Sequence, residues 1–146
     1  MALSLIKRAK ASGYGALVVT LDTMTIGWRP RDLGTGYLPF PHGIGIQTCT
    51  SDPVFMARYG LQPIPDEHPE FPHNPTKLNK LIAEGDEKMK QAHFLGMNFI
   101  KEIFPSLFRP WDDLKVLRDN WDGPFLLKGI QCAEVSTNIC EDTFLL

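Results

Sequence analysis

Two continuous hydrophobic runs, one near each end of the chain, form the clearest pattern in the sequence. The first has the sequence ALVVTLD over residues 16–22, and the second has the sequence PFLLKGI over residues 124–130. Neither alternates polar with apolar side chains, as a strand with one solvent-facing side does. We therefore predict two strands buried on both faces, the kind found in parallel sheets that are covered by helices.

Helical spacing of apolar residues occurs in three stretches, which are residues 3–12, 76–104 and 111–118. Gly13 follows the first stretch as a C-cap glycine would. Gly85 and Gly96 weaken the middle stretch, which leaves open whether it forms one helix or two. The strand–helix–strand order predicts a right-handed crossover in a parallel α/β fold.

Residues 24–75 are dense in proline and glycine, which predicts a long inserted loop between the first strand and the next helices. A loop of this length inside a compact domain is usually a lid, a binding loop or an arm used in oligomerisation.

Composition excludes several classes of protein. The chain has 146 residues, 43% of them hydrophobic, with a net charge of −2, which suits one globular domain and gives no sign of binding to nucleic acid or an anionic membrane. No apolar run approaches the roughly 20 residues that span a bilayer. The first 13 residues are too broken by charge for a secretory signal, although a transit peptide stays open.

Cysteine and histidine usage adds two expectations. The three cysteines are odd in number and widely spaced, which argues against a disulfide framework or a zinc site and favours a reducing compartment, by default the cytoplasm. His68 and His73 lie among acidic residues, but the proline-rich spacing favours a solvated loop over a metal site.

Polar side chains occupy the carboxyl ends of both predicted strands. Thr20 and Asp22 share one side of the first strand, and Lys128 ends the apolar part of the second. Parallel-barrel enzymes build their active sites at this end of the strands. Each residue also has an ordinary structural interpretation: a β-branched strand residue, a cap and an edge lysine, respectively.

The sequence resembles the FMN-dependent α-hydroxy acid dehydrogenase family over residues 5 to about 134. Its strand-four motif is similar to three segments: residues 17–23 (LVVTLDT), 27–29 (GWR) and 31–33 (RDL). The following helix and fifth strand are similar to four others: WDDL at 111–114, LR at 117–118, WDGP at 121–124 and LLKGI at 126–130. The segments GYLPF at 36–40 and SDPVF at 51–55 resemble the loop of the lactate 2-monooxygenase-like branch.

This resemblance implies a partial TIM (β/α)8 barrel, with about two central strands, a long inserted loop and flanking helices. It implies FMN as the cofactor, with Thr20 hydrogen-bonded to the flavin ring and Lys128 beside its N1–C2=O edge. Arg29 corresponds to the arginine that approaches the substrate carboxylate, and Asp22 to the carboxylate that pairs with the catalytic histidine. Intact relatives are commonly tetrameric, and the oligomeric state of this chain stays open.

The expected function is oxidation of a small, lactate-like 2-hydroxy acid, with O2 as the acceptor. The family's histidine motif, expected beyond the fifth strand, has no counterpart here, so the alternative is a truncated, non-catalytic remnant. A different phosphate-binding barrel enzyme would explain Lys128 but fits Arg29 poorly. We expect the family domain to cover residues 1–134 and residues 135–146 to be a non-homologous tail, hypothesised to be intron read-through.

Overall fold

The computed structural model describes residues 1–25, 27–35, 38–64, 71–107, 109–134 and 137. In chain order the elements are α1 (Ala2–Ala11), β1 (Leu17–Thr20), α2 (Pro30–Thr35), a 3-10 helix (Phe40–His42), α3 (Gln47–Thr50), α4 (Pro53–Ala57), α5 (Pro75–Glu84), α6 (Glu87–Ile103), α7 (Asp112–Arg118) and β2 (Phe125–Lys128). They form two compact units. The helical unit comprises Met1 and Ile26–Pro105, and the strand unit comprises Ala2–Thr25 and Ser106–Leu146.

The strand unit contains a parallel pair formed by β1 and β2. The Cα partners run from Leu17 with Phe125 to Thr20 with Lys128. The predicted parallel pairing is therefore confirmed. The chain leaves this unit after Thr25 and re-enters it at Ser106, where the Ser106 amide donates a 3.1 Å hydrogen bond to the Met24 carbonyl.

The prediction that both strands are buried on both faces is wrong for this chain. Val18 is 56% exposed and Leu126 is 49% exposed, whereas Val19 and Leu127 are half-buried. Side chains of α1 and α7 line a cavity together with Val19, so the helices cover that side of the sheet. Within the strand unit, no described element provides the second layer that the sequence pattern led us to expect.

The ends of α1 and α7 follow their sequence signals. Gly13 adopts a φ of 77° just after α1, and its amide donates to the Lys10 carbonyl. The predicted helix at 111–118 is α7, with Leu114 buried against the strand unit's interior. Trp121 is buried after it, and its indole Nε1 donates to the Pro124 carbonyl at 3.0 Å.

The helical unit shows that the predicted long loop is wrong, because the segment contains short helices. Pro53 occupies the first turn of α4, after Asp52 has capped the helix by accepting a 2.9 Å hydrogen bond from the Phe55 amide. Asn74 and Pro75 begin α5 in the same way. Proline lacks an amide hydrogen that a first helical turn does not need, so these prolines begin helices instead of preventing them.

The core of the helical unit is drawn from both the short helices and α6. Its buried members are Ile46, Cys49, Phe55, Met56, Leu95 and Phe99. Desolvation raises the pKa of the Cys49 thiol to about 12, so this cysteine is a packing residue with no nucleophilic thiolate at neutral pH.

The middle helical stretch forms two helices divided at Gly85. Gly85 has a φ of 90° and ends α5 as a left-handed cap. Gly96 lies inside α6 and does not break the helix. A Cβ at this position would overlap the carbonyl oxygen of Phe40. Glycine at 96 is thus needed for close helix packing, and glycine at 85 for the turn.

The described residues also bear on whether the chain spans a membrane or binds a metal ion. None of the described helices is long and apolar enough to cross a bilayer. No group of three or more potential metal ligands occurs in that part of the chain. His68 lies outside the described residues, as does nearly all of the predicted tail at 135–146.

Candidate functional site

The pairing of β1 with β2 brings two of the predicted site residues side by side. Thr20 and Lys128 are the last Cα partners of the register, so their side chains share one face at the carboxyl end of the strands. The ladder continues one step further, because the Leu21 amide donates to the Lys128 carbonyl at 2.8 Å. This bond fixes the spacing of the two strands where the polar side chains begin.

Asp22 joins this pair from just beyond β1. Its Oδ1 accepts a hydrogen bond from the Thr23 hydroxyl at 3.0 Å and lies 3.4 Å from the Lys128 Nζ. The Thr23 hydroxyl, followed by Lys128, holds the pKa of the Asp22 carboxyl below its usual range. Both interactions favour the charged carboxylate, so Asp22 is an anion at neutral pH.

Solvent reaches both members of the ion pair. The side chain of Lys128 is 58% exposed and that of Asp22 is 35% exposed. A lysine in an apolar strand is costly to bury without an anionic partner. The structure provides the partner but not the burial, so the ammonium group stays accessible to a ligand.

Thr23 and Gly129 are site residues that sequence reasoning missed. Thr23 supplies the hydroxyl that binds Asp22. Gly129 has a φ of 96° and lies directly against the Asp22 side chain. A glycine just after an apolar strand is the signal that was available, because such glycines often mark the close approach of another group.

Arg29 lies in the helical unit, just before α2. Its Nη1 is 3.8 Å from the Asp32 Oδ2, an exposed pair three residues apart of the kind that contributes little to stability. The structure therefore brings together Thr20, Asp22 and Lys128 in the strand unit, and the predicted role of Arg29 stays a prediction.

A cavity of about 560 Å³ lies within the strand unit on the helix side of β1. Its lining is mainly apolar and includes Val19, Leu21, Leu114 and Leu117. Thr20 also borders the cavity, but strand alternation puts its side chain on the opposite face of the sheet, with Val18. Such a lining can pack against a flat apolar group but supplies little chemistry of its own.

The chemistry available at the strand ends is charge stabilisation. Lys128 provides a mobile ammonium and Thr20 a hydroxyl next to it, and both can donate to an acceptor-rich ligand edge. Asp22 provides an acceptor that is already anionic. Together these groups can orient a planar polar ligand and stabilise negative charge that develops on it.

One family model and three known proteins are similar in sequence to this chain. The sequence model of a family described as FMN-dependent dehydrogenase matches residues 1–142. The chain is 39% identical over 130 residues to an FMN-dependent alpha-hydroxy acid dehydrogenase of Schizosaccharomyces pombe, covering 88% of this chain and 27% of that protein. It is 38% identical over 132 residues to a protein of the same description from Penicillium citrinum, covering 90% of this chain and 27% of the relative.

A third relative carries a more specific name. The chain is 26% identical over 133 residues to an L-lactate oxidase of Lysinibacillus sphaericus, covering 89% of this chain and 26% of the oxidase. The chain thus spans about a quarter of the length of the relatives it matches.

Proposed function

This chain belongs to the FMN-dependent dehydrogenase family, and we propose that it forms part of an FMN site that oxidises a small, lactate-like 2-hydroxy acid. The product would be the 2-oxo acid or its decarboxylated form, with O2 as the electron acceptor. The observation that carries the proposal is the Lys128–Asp22 pair beside Thr20, at the carboxyl ends of two parallel strands. The name of the L-lactate oxidase relative supports the choice of substrate.

We assign the two strands to neighbouring positions in a (β/α)8 barrel. Support comes from their parallel register, from the described helices α1 and α7 on one side, and from the exposed apolar residues Val18 and Leu126 on the other. In a barrel that second side faces the interior, where apolar side chains fill the core. The polar residues would then lie at the end where barrels of this type bind substrate.

The residues of the strand unit fit FMN. The polar edge of a flavin ring presents carbonyl oxygens and ring nitrogens, and Thr20 and Lys128 offer a hydroxyl and an ammonium next to each other. When bound, FMN supplies the acceptor for the two electrons that leave the substrate α-carbon. Lys128 would place its positive charge against the edge of the ring that becomes electron-rich, a role suited to an ammonium donor.

Asp22 and Arg29 would act on the substrate side. An anionic Asp22 can accept a hydrogen bond from an imidazole, hold its ring and raise its basicity. We assign the base itself to no residue of this chain. Arg29 would bind the substrate carboxylate, for which the planar guanidinium is well matched.

The flavin site is tested by titrating the purified chain with FMN and following the flavin fluorescence. Replacing Lys128 with Met removes a charged donor worth about 1.5–3 kcal/mol, so we expect FMN to bind at least about tenfold more weakly. Lys115→Met is the matched control, because Lys115 lies on α7 in the same unit and pairs with Asp112 instead. Equal affinity of the two variants would contradict the proposed flavin site.

Substrate oxidation is tested on the FMN-loaded chain without oxygen. Lactate and larger 2-hydroxy acids are added in turn, and the visible flavin absorbance is followed. Bleaching by lactate supports the proposed oxidation and ranks the substrates. Because the base is assigned to no residue of this chain, the same mixtures are repeated with imidazole added as an external base. Flavin that binds but does not bleach even with imidazole would favour the alternative, that this chain is a non-catalytic remnant of the enzyme.

A further inference from the structure

We infer that Thr23 and Gly129 are positioning residues that hold the Asp22 carboxylate in one orientation, with Oδ1 directed to Lys128 and Oδ2 kept open for a further donor. The inference rests on the proposed function in one respect, since that donor would be the base that Asp22 orients. The geometry on which it stands belongs to the chain itself.

Thr23 fixes one carboxylate oxygen. Its hydroxyl donates to Asp22 Oδ1 at 3.0 Å, and Lys128 Nζ approaches the same oxygen at 3.4 Å. Both donors therefore use Oδ1. The Asp22 backbone amide also interacts with the carboxyl. Because a carboxylate oxygen has two lone pairs and Thr23 and Lys128 both use Oδ1, Oδ2 keeps at least one lone pair for a further donor.

Gly129 fixes where the rest of the carboxylate lies. A Cβ built on residue 129 would be 2.7 Å from Asp22 Cγ and 2.9 Å from Oδ2, closer than non-bonded carbon and oxygen atoms approach. The side chain of Asp22 thus occupies the space that any other residue at 129 would fill. Oδ2 is the carboxylate oxygen nearer to Gly129.

The strands cannot move apart to make room for a larger residue at position 129 without losing a backbone hydrogen bond. The Leu21 amide donates to the Lys128 carbonyl at 2.8 Å, one residue before the glycine. The φ of 96° at Gly129 adds a second constraint, since residues other than glycine rarely adopt this backbone angle. Position 129 therefore requires glycine both for its backbone angle and for the contact with Asp22.

The test is a carbon-detected NMR titration of the Asp22 carboxyl in the full chain. In the unaltered protein we expect a pKa below the ordinary value of 3.8. Thr23→Val removes the hydroxyl and should raise that pKa towards 3.8, whereas Thr23→Ser keeps the hydroxyl and should restore the lowered pKa. Gly129→Ala should also raise it, because the methyl group displaces the carboxylate from Lys128.

Gly13→Ala is the matched control for Gly129→Ala. Gly13 has a similar positive φ of 77°, but a Cβ there meets nothing within 4 Å. We expect Gly13→Ala to leave the Asp22 titration unchanged. If Gly129→Ala fails to fold, the Asp22 titrations of Thr23→Val and Thr23→Ser decide the inference.

The inference is overturned if Asp22 titrates identically in Thr23→Val, Gly129→Ala and the unaltered chain. FMN titrations of the same proteins separate the two proposals. A chain that does not bind FMN, but whose Asp22 titration responds to Thr23→Val, disproves the flavin site and leaves the positioning role intact. A chain that binds FMN with an unresponsive Asp22 does the reverse.

Discussion

At the level of single residues, the Asp22–Lys128 pair joins positions 106 residues apart in the sequence. Both side chains are open to solvent, so their attraction is screened and the pair contributes little to folding. Its value lies in geometry. It places a cation and an anion together at the carboxyl end of the strands, next to the Thr20 hydroxyl.

The pH dependence of stability gives a direct check on the state of Asp22. Its pKa is lowered in the folded chain, so its ionisation stabilises the fold above the ordinary pKa of 3.8, and that contribution is lost as the pH falls through the lowered value. We expect Asp22→Asn to be less stable than the unaltered chain at neutral pH. The difference should vanish in acid, as measured by urea unfolding at a series of pH values. A difference that does not change with pH would contradict this.

The site residues could be predicted only as far as strand geometry allows. Thr20, Asp22 and Lys128 were accessible, because polar groups at the ends of apolar runs stand out in the sequence. Gly129 carried only the general signal of a glycine after an apolar strand and Thr23 carried none, since their roles depend on the register of two distant strands and on a distance of a few ångströms. Sequence spacing carries neither quantity.

At the level of elements, the helical unit shows how proline placement can mislead. The dense prolines of residues 24–75 predicted a loop, yet Asp52-Pro53 and Asn74-Pro75 are each a capping residue followed by a first-turn proline. Each capping residue followed by proline indicates the start of a helix, but the overall density of prolines over the segment indicated a loop instead. The two strands were placed correctly, but their burial was not, because burial depends on what covers a face and not on the strand's own sequence.

Gly96 provides a test of the packing in the helical unit. An added methyl group at 96 would overlap the Phe40 carbonyl, so Gly96→Ala forces α6 away from the 3-10 helix. Overpacking of this kind costs about 1–3 kcal/mol, and we expect at least that loss in urea unfolding followed by circular dichroism.

The control for this variant is Gly34→Ala in α2, where a Cβ meets nothing within 4 Å. It should be neutral or slightly stabilising, because alanine favours helix more than glycine does. Equal stability of the two variants would show that α6 does not pack closely on the 3-10 helix.

At the level of the whole molecule, the chain combines a core-bearing helical unit with a strand unit whose sheet has one bare apolar face. Val18 and Leu126 lie next to each other on that face. Contiguous exposed apolar residues usually mark a surface that another element covers. The parallel strand pair and the family were predictable from the two strand motifs. The exposed face was not, since the sequence pattern of a buried strand does not depend on whether its cover is present.

Exposure of this face should be measurable with a dye that fluoresces on apolar surfaces. A double variant, Val18→Thr with Leu126→Thr, removes the apolar patch and puts in a β-branched residue that strands favour. We expect dye fluorescence to fall and solubility to rise. Val54→Thr is the control, because Val54 is also exposed but lies in α4 of the helical unit. A change equal to that of the control would contradict the exposed-face interpretation.

The hydrogen bond between Ser106 and Met24 has a consequence for the order in which the chain folds. This bond joins the two ends of the long segment between β1 and β2, so the strands can pair only when distant parts of the chain meet. By contrast, the helix hairpin of α5 and α6 is made of neighbours in sequence. Contacts between distant segments form slowly, so the strand pair is expected to form after the helix hairpin. During synthesis, Asp22 leaves the ribosome long before Lys128, so the charged site can form only after Lys128 has also emerged.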